Sequence, residues 1–79
     1  MSEKVLLTDT FEQTSLIFGN YDVNIQMVEN AFGVKITNRD TEKTLGDAIV
    51  IRGENSDNVL SAFTALEYLK NMTKMGTEL

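Results

Sequence analysis

The chain has 79 residues, of which seven are basic and twelve acidic, so its formal net charge is −5. This length supports one domain, and 42% hydrophobic with 24% charged residues is typical of a folded soluble protein rather than a disordered one. The absence of cysteine and histidine excludes disulfides, thiolate metal sites and a histidine general base, and the acidic balance disfavours a strong general nucleic-acid binder, whose affinity comes from Lys and Arg.

The first third of the chain predicts a strand followed by a helix. Residues 5–7 form a short apolar run between charged residues, which is typical of a strand. Asp9 and Glu12 have the spacing of a capping box, so a helix is expected from about Thr10. Gly19 should end that helix, because glycine accepts the positive φ that a helix C-terminus often needs.

A second helix is predicted after the turn "GNYD". Asp22 is placed to cap it, since a carboxylate there can accept a hydrogen bond from a free backbone N–H. Ile25, Val28 and Phe32 recur at helical spacing and predict a stripe that faces the core. Gly33 should end this helix.

Two strands and a last helix follow. In "VKITNR", Val34 and Ile36 alternate with Lys35, Thr37 and Arg39, which indicates a strand with one apolar face. "AIVIR", residues 48–52, is the most strand-like run in the chain. Residues 55–57 carry helix start signals, and Gly76 should end the last helix. The buried stripe expected for that helix consists of Val59, Ala62, Phe63, Leu66 and Leu69.

The element order is therefore βααββα. We expect an α+β fold, in which a three-stranded antiparallel sheet carries its helices on one face, with residues 1–79 as a single domain. No apolar run approaches the roughly 18 residues that span a bilayer, and the first 25 residues lack a secretion signal. We expect a cytoplasmic protein without a membrane partner. The sequence stops just after Gly76, so it is expected to be a fragment of a longer protein.

This order, with a glycine turn between the first two helices, resembles a type I KH domain, a module that binds single-stranded nucleic acid. More closely, residues 16–34 resemble the N-terminal domain of the PhoH-like (phosphate starvation-inducible) family, and "IVIRG" with the final helix continues the pattern. The matching positions are Phe18, Gly19, Asp22, Asn24, Ile25, Val28, Glu29, Gly33 and Val34.

The resemblance implies a parent protein in which a P-loop ATPase domain follows this one and takes part in RNA metabolism or phosphate-starvation responses. ATP and Mg would belong to that C-terminal domain, because no segment ending in Gly-Lys-Ser/Thr occurs here. The chain departs from the family where a hairpin with Arg-Gly is expected. It has Leu45-Gly46 instead, preceded by about six extra residues, "DTEKTL".

The candidate nucleic-acid contacts are Gly19, Asn20, Tyr21, Asn24, Lys35 and Arg39. In KH domains a G-x-x-G turn approaches the sugar-phosphate backbone, but Asp22 stands here at the second glycine and would repel a phosphate. A capped corner between two helices is the competing interpretation of the turn. Tyr21 either stacks on a base or packs over the helix start. Lys35, Arg39 and Arg52 form a basic strip only if the strand register places them on one face.

Other chemistry has less support in the sequence. Asp40, Glu42 and Asp47 lack the spacing of a calcium loop and are better interpreted as an acidic hairpin tip. Without histidine or cysteine there is no nucleophile with a base, so no catalytic residue, metal or cofactor is assigned to this chain.

The favoured function is a non-catalytic interaction domain of a PhoH-like ATPase with at most weak binding of single-stranded RNA. The alternative is a functional module that presents RNA to the ATPase domain, and homo-oligomerisation stays open.

Overall fold

A computed structural model describes residues 1–40 and 46–74 and contains every strand and helix that the sequence predicts. The elements are β1 (Ser2–Leu7), α1 (Phe11–Phe18), a 3₁₀ turn (Asn20–Asp22), α2 (Val23–Phe32), β2 (Lys35–Asp40), β3 (Asp47–Gly53) and α3 (Ser56–Lys74). The α+β class and the order βααββα are confirmed. The expected helix end at Gly76 and residues 41–45 of the insertion lie outside the described residues.

The sheet is antiparallel with the strand order β1-β3-β2, so β3 is central and both other strands are edges. Val50 of β3 lies opposite Val5 of β1 and Thr37 of β2. Since side chains alternate along a strand, this register places Leu6, Ile36 and Ile49 on one face and the Val50 row on the other.

The core lies on the Ile49 face of the sheet. It is formed by Leu6, Ile36, Ile49 and Ile51 from the strands, Val34 before β2, Ile17 and Ile25 from α1 and α2, and Val59, Ala62 and Leu66 from α3. Phe18, Val28, Phe32, Phe63 and Leu69 pack against it. The predicted stripes of α2 and α3 are therefore confirmed. All three helices contribute to this one cluster, so they share one face, and we call the Val50 side the open sheet face.

The cap of α1 is shifted by one residue from the predicted position. Thr10 has extended backbone angles, and its hydroxyl accepts a hydrogen bond from the N–H of Gln13 at 3.1 Å. The Gln13 side chain accepts in return from the N–H of Asp9 at 2.7 Å. The prediction of Asp9 and Glu12 as the capping pair was wrong, because Thr10 and Gln13 have the same spacing and Thr10 holds the N-cap conformation.

Side chains from the helices hold both edges of the sheet. The Lys70 ammonium donates to the carbonyl of Leu7 on β1, and a carboxylate oxygen of Glu29 accepts from the N–H of Ile36 on β2 at 2.9 Å. Lys70 of α3 thus binds the edge strand β1. Pairing of edge groups with side chains limits uncontrolled strand addition.

In the described parts of the chain, no helix has the length and apolarity that a membrane span requires.

Candidate functional site

The turn between α1 and α2 requires glycine at its first position. Gly19 ends α1 with φ 80° and ψ 173°, and its N–H donates to the carbonyl of Ser15 at 2.9 Å. A Cβ at Gly19 would lie 2.8 Å from the side-chain nitrogen of Asn24. The predicted end of α1 at Gly19 is confirmed, and the side chain of Asn24 packs closely under the turn.

The two residues that follow Asn20 hold an unusual backbone conformation. Tyr21 has φ 55° and Asp22 has φ 60°, and both lie in the left-handed region although neither is glycine. For an L-residue this region costs roughly 1–2 kcal/mol. Strain of this kind persists where the surrounding structure enforces it, and it is concentrated at binding and switch sites.

Asp22 does not cap α2. No side-chain hydrogen bond closes the start of this helix, and Asp22 holds left-handed angles there. A capping side chain normally reaches the helix amides from an extended N-cap residue. The prediction that Asp22 caps α2 was therefore wrong, and its carboxylate lines a groove instead.

Tyr21 is 97% exposed at the tip of the turn. The interpretation in which its ring packs over the helix start was wrong, because so exposed a side chain makes almost no packing contact. The ring stands next to the groove that the turn borders, with its faces open to solvent.

The groove lies between α1, the turn and β2 and has a volume of about 440 Å³. It is lined by Thr14, Ser15, Phe18, Gly19, Asn20, Tyr21, Asp22 and Asn38. Asn38 shares the helix-side face of β2 with Ile36, since both are even-numbered residues of the same strand. The bond between Glu29 and Ile36 holds α2 against β2 at this side.

The groove is polar and carries negative charge. Among the described residues that line it, Asp22 is the single ionisable acid and none is lysine or arginine. Gly19, Asn20 and Tyr21 are thus brought together at the groove, and Asn24 supports them from beneath. A phosphate placed here would meet a carboxylate and no lysine or arginine from these lining residues.

Lys35 and Arg39 lie on the open sheet face, away from the groove. Lys35 is opposite Arg52 and Arg39 is opposite Ala48, so the three cations share the Val50 side of the sheet. The basic strip that the sequence left open therefore exists. The predicted six-residue contact set, however, is divided between two sides of the sheet and does not form one site.

Arg52 is partly neutralised on that face. Its guanidinium Nε lies 2.7 Å from a carboxylate oxygen of Glu3, the directly opposite residue on β1. Both side chains are about half exposed, and solvent-exposed pairs of this kind contribute about 0–1 kcal/mol. The pair orders the strip more than it stabilises the fold.

A buried polar network lies beside the groove. Asp47 is 1% exposed, and its Oδ1 has no hydrogen-bond partner. The Asp47 N–H donates to the hydroxyl of Thr8 at 2.8 Å, and that hydroxyl lies 2.7 Å from the hydroxyl of Thr14. The sequence assigned Asp47 to an acidic hairpin tip, which was wrong. Its side chain lies on the helix side of the sheet, where it is buried.

Two of the three acidic residues around the insertion lie among the described residues. Asp40 lies directly opposite Asp47 in the sheet, whereas Glu42 lies outside the described residues. Within residues 1–40 and 46–74, no group of three or more acidic residues is placed to hold a metal ion.

Besides Phe18, sequence reasoning missed three polar residues that line the groove: Thr14, Ser15 and Asn38. The signal for Asn38 was present, because the alternation in "VKITNR" puts it on the same face as Ile36. Thr14 and Ser15 had no comparable signal, since a polar side chain in a helix next to the core gives no indication of which neighbour it faces.

No model of a known protein family matches the sequence, and no curated protein is significantly similar to it.

Proposed function

We propose that the chain is a non-catalytic interaction domain on a KH-like scaffold, and that it binds single-stranded RNA weakly at most. The resemblance to PhoH-like proteins makes a C-terminal P-loop ATPase domain of the same protein its expected partner. ATP and Mg would then be bound by that domain and not by this one.

One observation carries the proposal. The groove beside the glycine turn holds Asp22 and, among its described lining residues, no lysine or arginine, while Lys35, Arg39 and Arg52 lie on the opposite side of the sheet. Affinity for a nucleic-acid backbone comes mostly from cations that neutralise phosphates. A strand in the groove would therefore gain contacts with polar groups but little electrostatic attraction.

The lack of catalytic chemistry rests on composition. The sequence contains neither histidine nor cysteine, the commonest general base near neutral pH and the most reactive nucleophile. The groove contains hydroxyl, amide and one carboxylate group, and none of its described lining residues is a lysine that could activate the hydroxyl of Thr14 or Ser15.

A second function is favoured by a specific observation, namely the exposed ring of Tyr21 on a strained turn. Base stacking on an aromatic ring contributes about 1–3 kcal/mol, so the turn has one feature of a functional RNA-presenting module. Against this stands the carboxylate of the next residue, Asp22.

Substitution of Asp22 by Asn separates the two functions. Asn tolerates the left-handed conformation and removes the charge. Relief of a charge repulsion near a helix start, about 0.3–1 kcal/mol, should tighten RNA binding about two- to fivefold. NMR titration of the wild type, Asp22→Asn and the control Asp57→Asn with a single-stranded oligonucleotide at low salt measures this.

Asp57→Asn makes the same change of charge on an exposed residue at the start of α3. We expect weak binding by the wild type and the control, tighter binding by Asp22→Asn, and shifts centred on residues 19–24. Tight binding by the wild type that Asp22→Asn leaves unchanged would contradict the proposal and support the RNA-presenting module.

A further inference from the structure

The charges of the chain are divided between its two layers. From residue 5 to residue 34, which includes α1 and α2, the sequence has four acidic residues and no basic one. The open sheet face instead has three basic residues, Lys35, Arg39 and Arg52, and one acidic residue, Glu3. The net charge of this face is therefore +2, whereas that of the whole chain is −5. The molecule therefore has an acidic helical side and a basic sheet side.

Each side also exposes apolar surface. On the sheet side, Val5 is 46% and Leu7 56% exposed, and they flank Val50 and Ala48 in register. On the helical side, Phe11 is 59% and Leu16 44% exposed. Phe11 and Leu16 line one shallow cleft with Glu12, Ser15 and Asn20. We call Phe11, Glu12 and Leu16 the α1 surface.

The open sheet face and the α1 surface have complementary charges, and both expose apolar side chains. The open sheet face offers exposed aliphatic side chains on β1 and cations on β3 and β2. The α1 surface offers an aromatic and an aliphatic side chain beside a carboxylate. Such complementarity steers association and fixes orientation. Because one surface lies on the helical layer and the other on the opposite face of the sheet, a single molecule cannot bring them together, but two copies can.

We propose that the open sheet face of one copy binds the α1 surface of a second copy, head to tail. This inference rests on the proposed function, since it gives the interaction domain a second partner besides the ATPase domain. A head-to-tail contact joins two different patches, so it propagates, either closing into a ring or extending as a filament. Phe11 would then pack on the Val5 and Leu7 row, and Glu12 would lie near Arg39.

Charge reversal tests the pairing. In sedimentation velocity at low salt, the wild type should form larger species as its concentration rises. These species should dissociate at about 1 M salt, where the Debye length is about 3 Å. Arg39→Glu and Glu12→Lys, each alone, should weaken association by about tenfold or more, because each brings like charges together.

An equimolar mixture of Arg39→Glu and Glu12→Lys should associate again, because each reversed surface meets an opposite one. Glu67→Lys and Lys74→Glu make matched charge changes on α3 and should leave association unchanged. Circular dichroism checks that every variant folds.

Three results would overturn the inference. One is a wild-type monomer at all concentrations and salts. Another is that Arg39→Glu weakens association between copies but Glu12→Lys does not, which would indicate a two-fold contact between two sheet faces. The last is a mixture that fails to recover association. RNA is absent from this experiment, so its failure is distinguishable from failure of the proposed function, which is measured by RNA titration.

Discussion

Tyr21 and Asp22 hold left-handed backbone angles at the rim of the groove, side by side and without glycine. Asp is tolerated in this region, whereas an aromatic residue there is unusual. Since the Tyr21 ring is exposed to solvent, packing of the ring does not offset the strain. The turn is therefore less stable than the same turn with a residue suited to its backbone.

Replacement of Tyr21 by Asn should raise the free energy of unfolding by roughly 0.5–1 kcal/mol, part of the strain of a left-handed L-residue. For a domain of this size that corresponds to a thermal midpoint about 2–8 °C higher. Tyr68→Asn is the control, because Tyr68 is also exposed but lies within α3. Tyr68→Asn should lower the thermal midpoint. If Tyr21→Asn lowered it as well, the strain argument would be contradicted.

Single residues of the site were the least predictable from sequence. The assignment of Asp22 as a cap followed from residue type and position, but a cap depends on a backbone conformation that neighbouring residues decide. Asp47 was placed at a hairpin tip because acidic residues surround it in sequence. Its side chain is instead buried on the helix side of the sheet, and the hydroxyl of Thr8 accepts a hydrogen bond from its backbone N–H.

At the scale of elements, the apolar periodicities and glycine positions predicted every strand and helix. Burial of Ile25 on α2 and of Leu66 on α3 follows from helical spacing, since one face of each helix must meet the sheet. The alternation in β2 placed Ile36 inward and Lys35 outward, as found. Cap assignments were less exact, because two candidate capping pairs overlapped by one residue at the start of α1.

The overlap at α1 gives a test. Thr10→Ala removes the hydroxyl that accepts from Gln13 and should lower the free energy of unfolding by about 1 kcal/mol, the usual value of an N-cap. Asp9→Ala keeps the backbone N–H that donates to the Gln13 side chain. It should lower the free energy of unfolding by only about 0.3 kcal/mol, the lower end of a charge–dipole contribution. Urea unfolding of both variants measures this, and a larger loss for Asp9→Ala would restore the cap predicted from sequence.

At the scale of the whole molecule, the register of the strands decides what the chain can bind. Lys35 and Arg39 were placed with the turn in one candidate contact set, but pairing with β3 turns them to the other side of the sheet. No local pattern contains that information, since a sheet face is defined by residues from three strands. The same register brings Arg52 beside Lys35 and produces the basic face.

Among the described residues that line it, the groove beside the turn has no lysine or arginine to hold an RNA backbone. The dependence of RNA affinity on salt concentration tests this most directly, since the logarithm of the binding constant falls with a slope of about −0.7 for each phosphate neutralised on a single strand. We expect weak binding with a slope no steeper than about −0.7, which corresponds to at most one phosphate contact. Tight binding with a slope of about −2 or steeper, equivalent to three or more phosphate contacts, would contradict it.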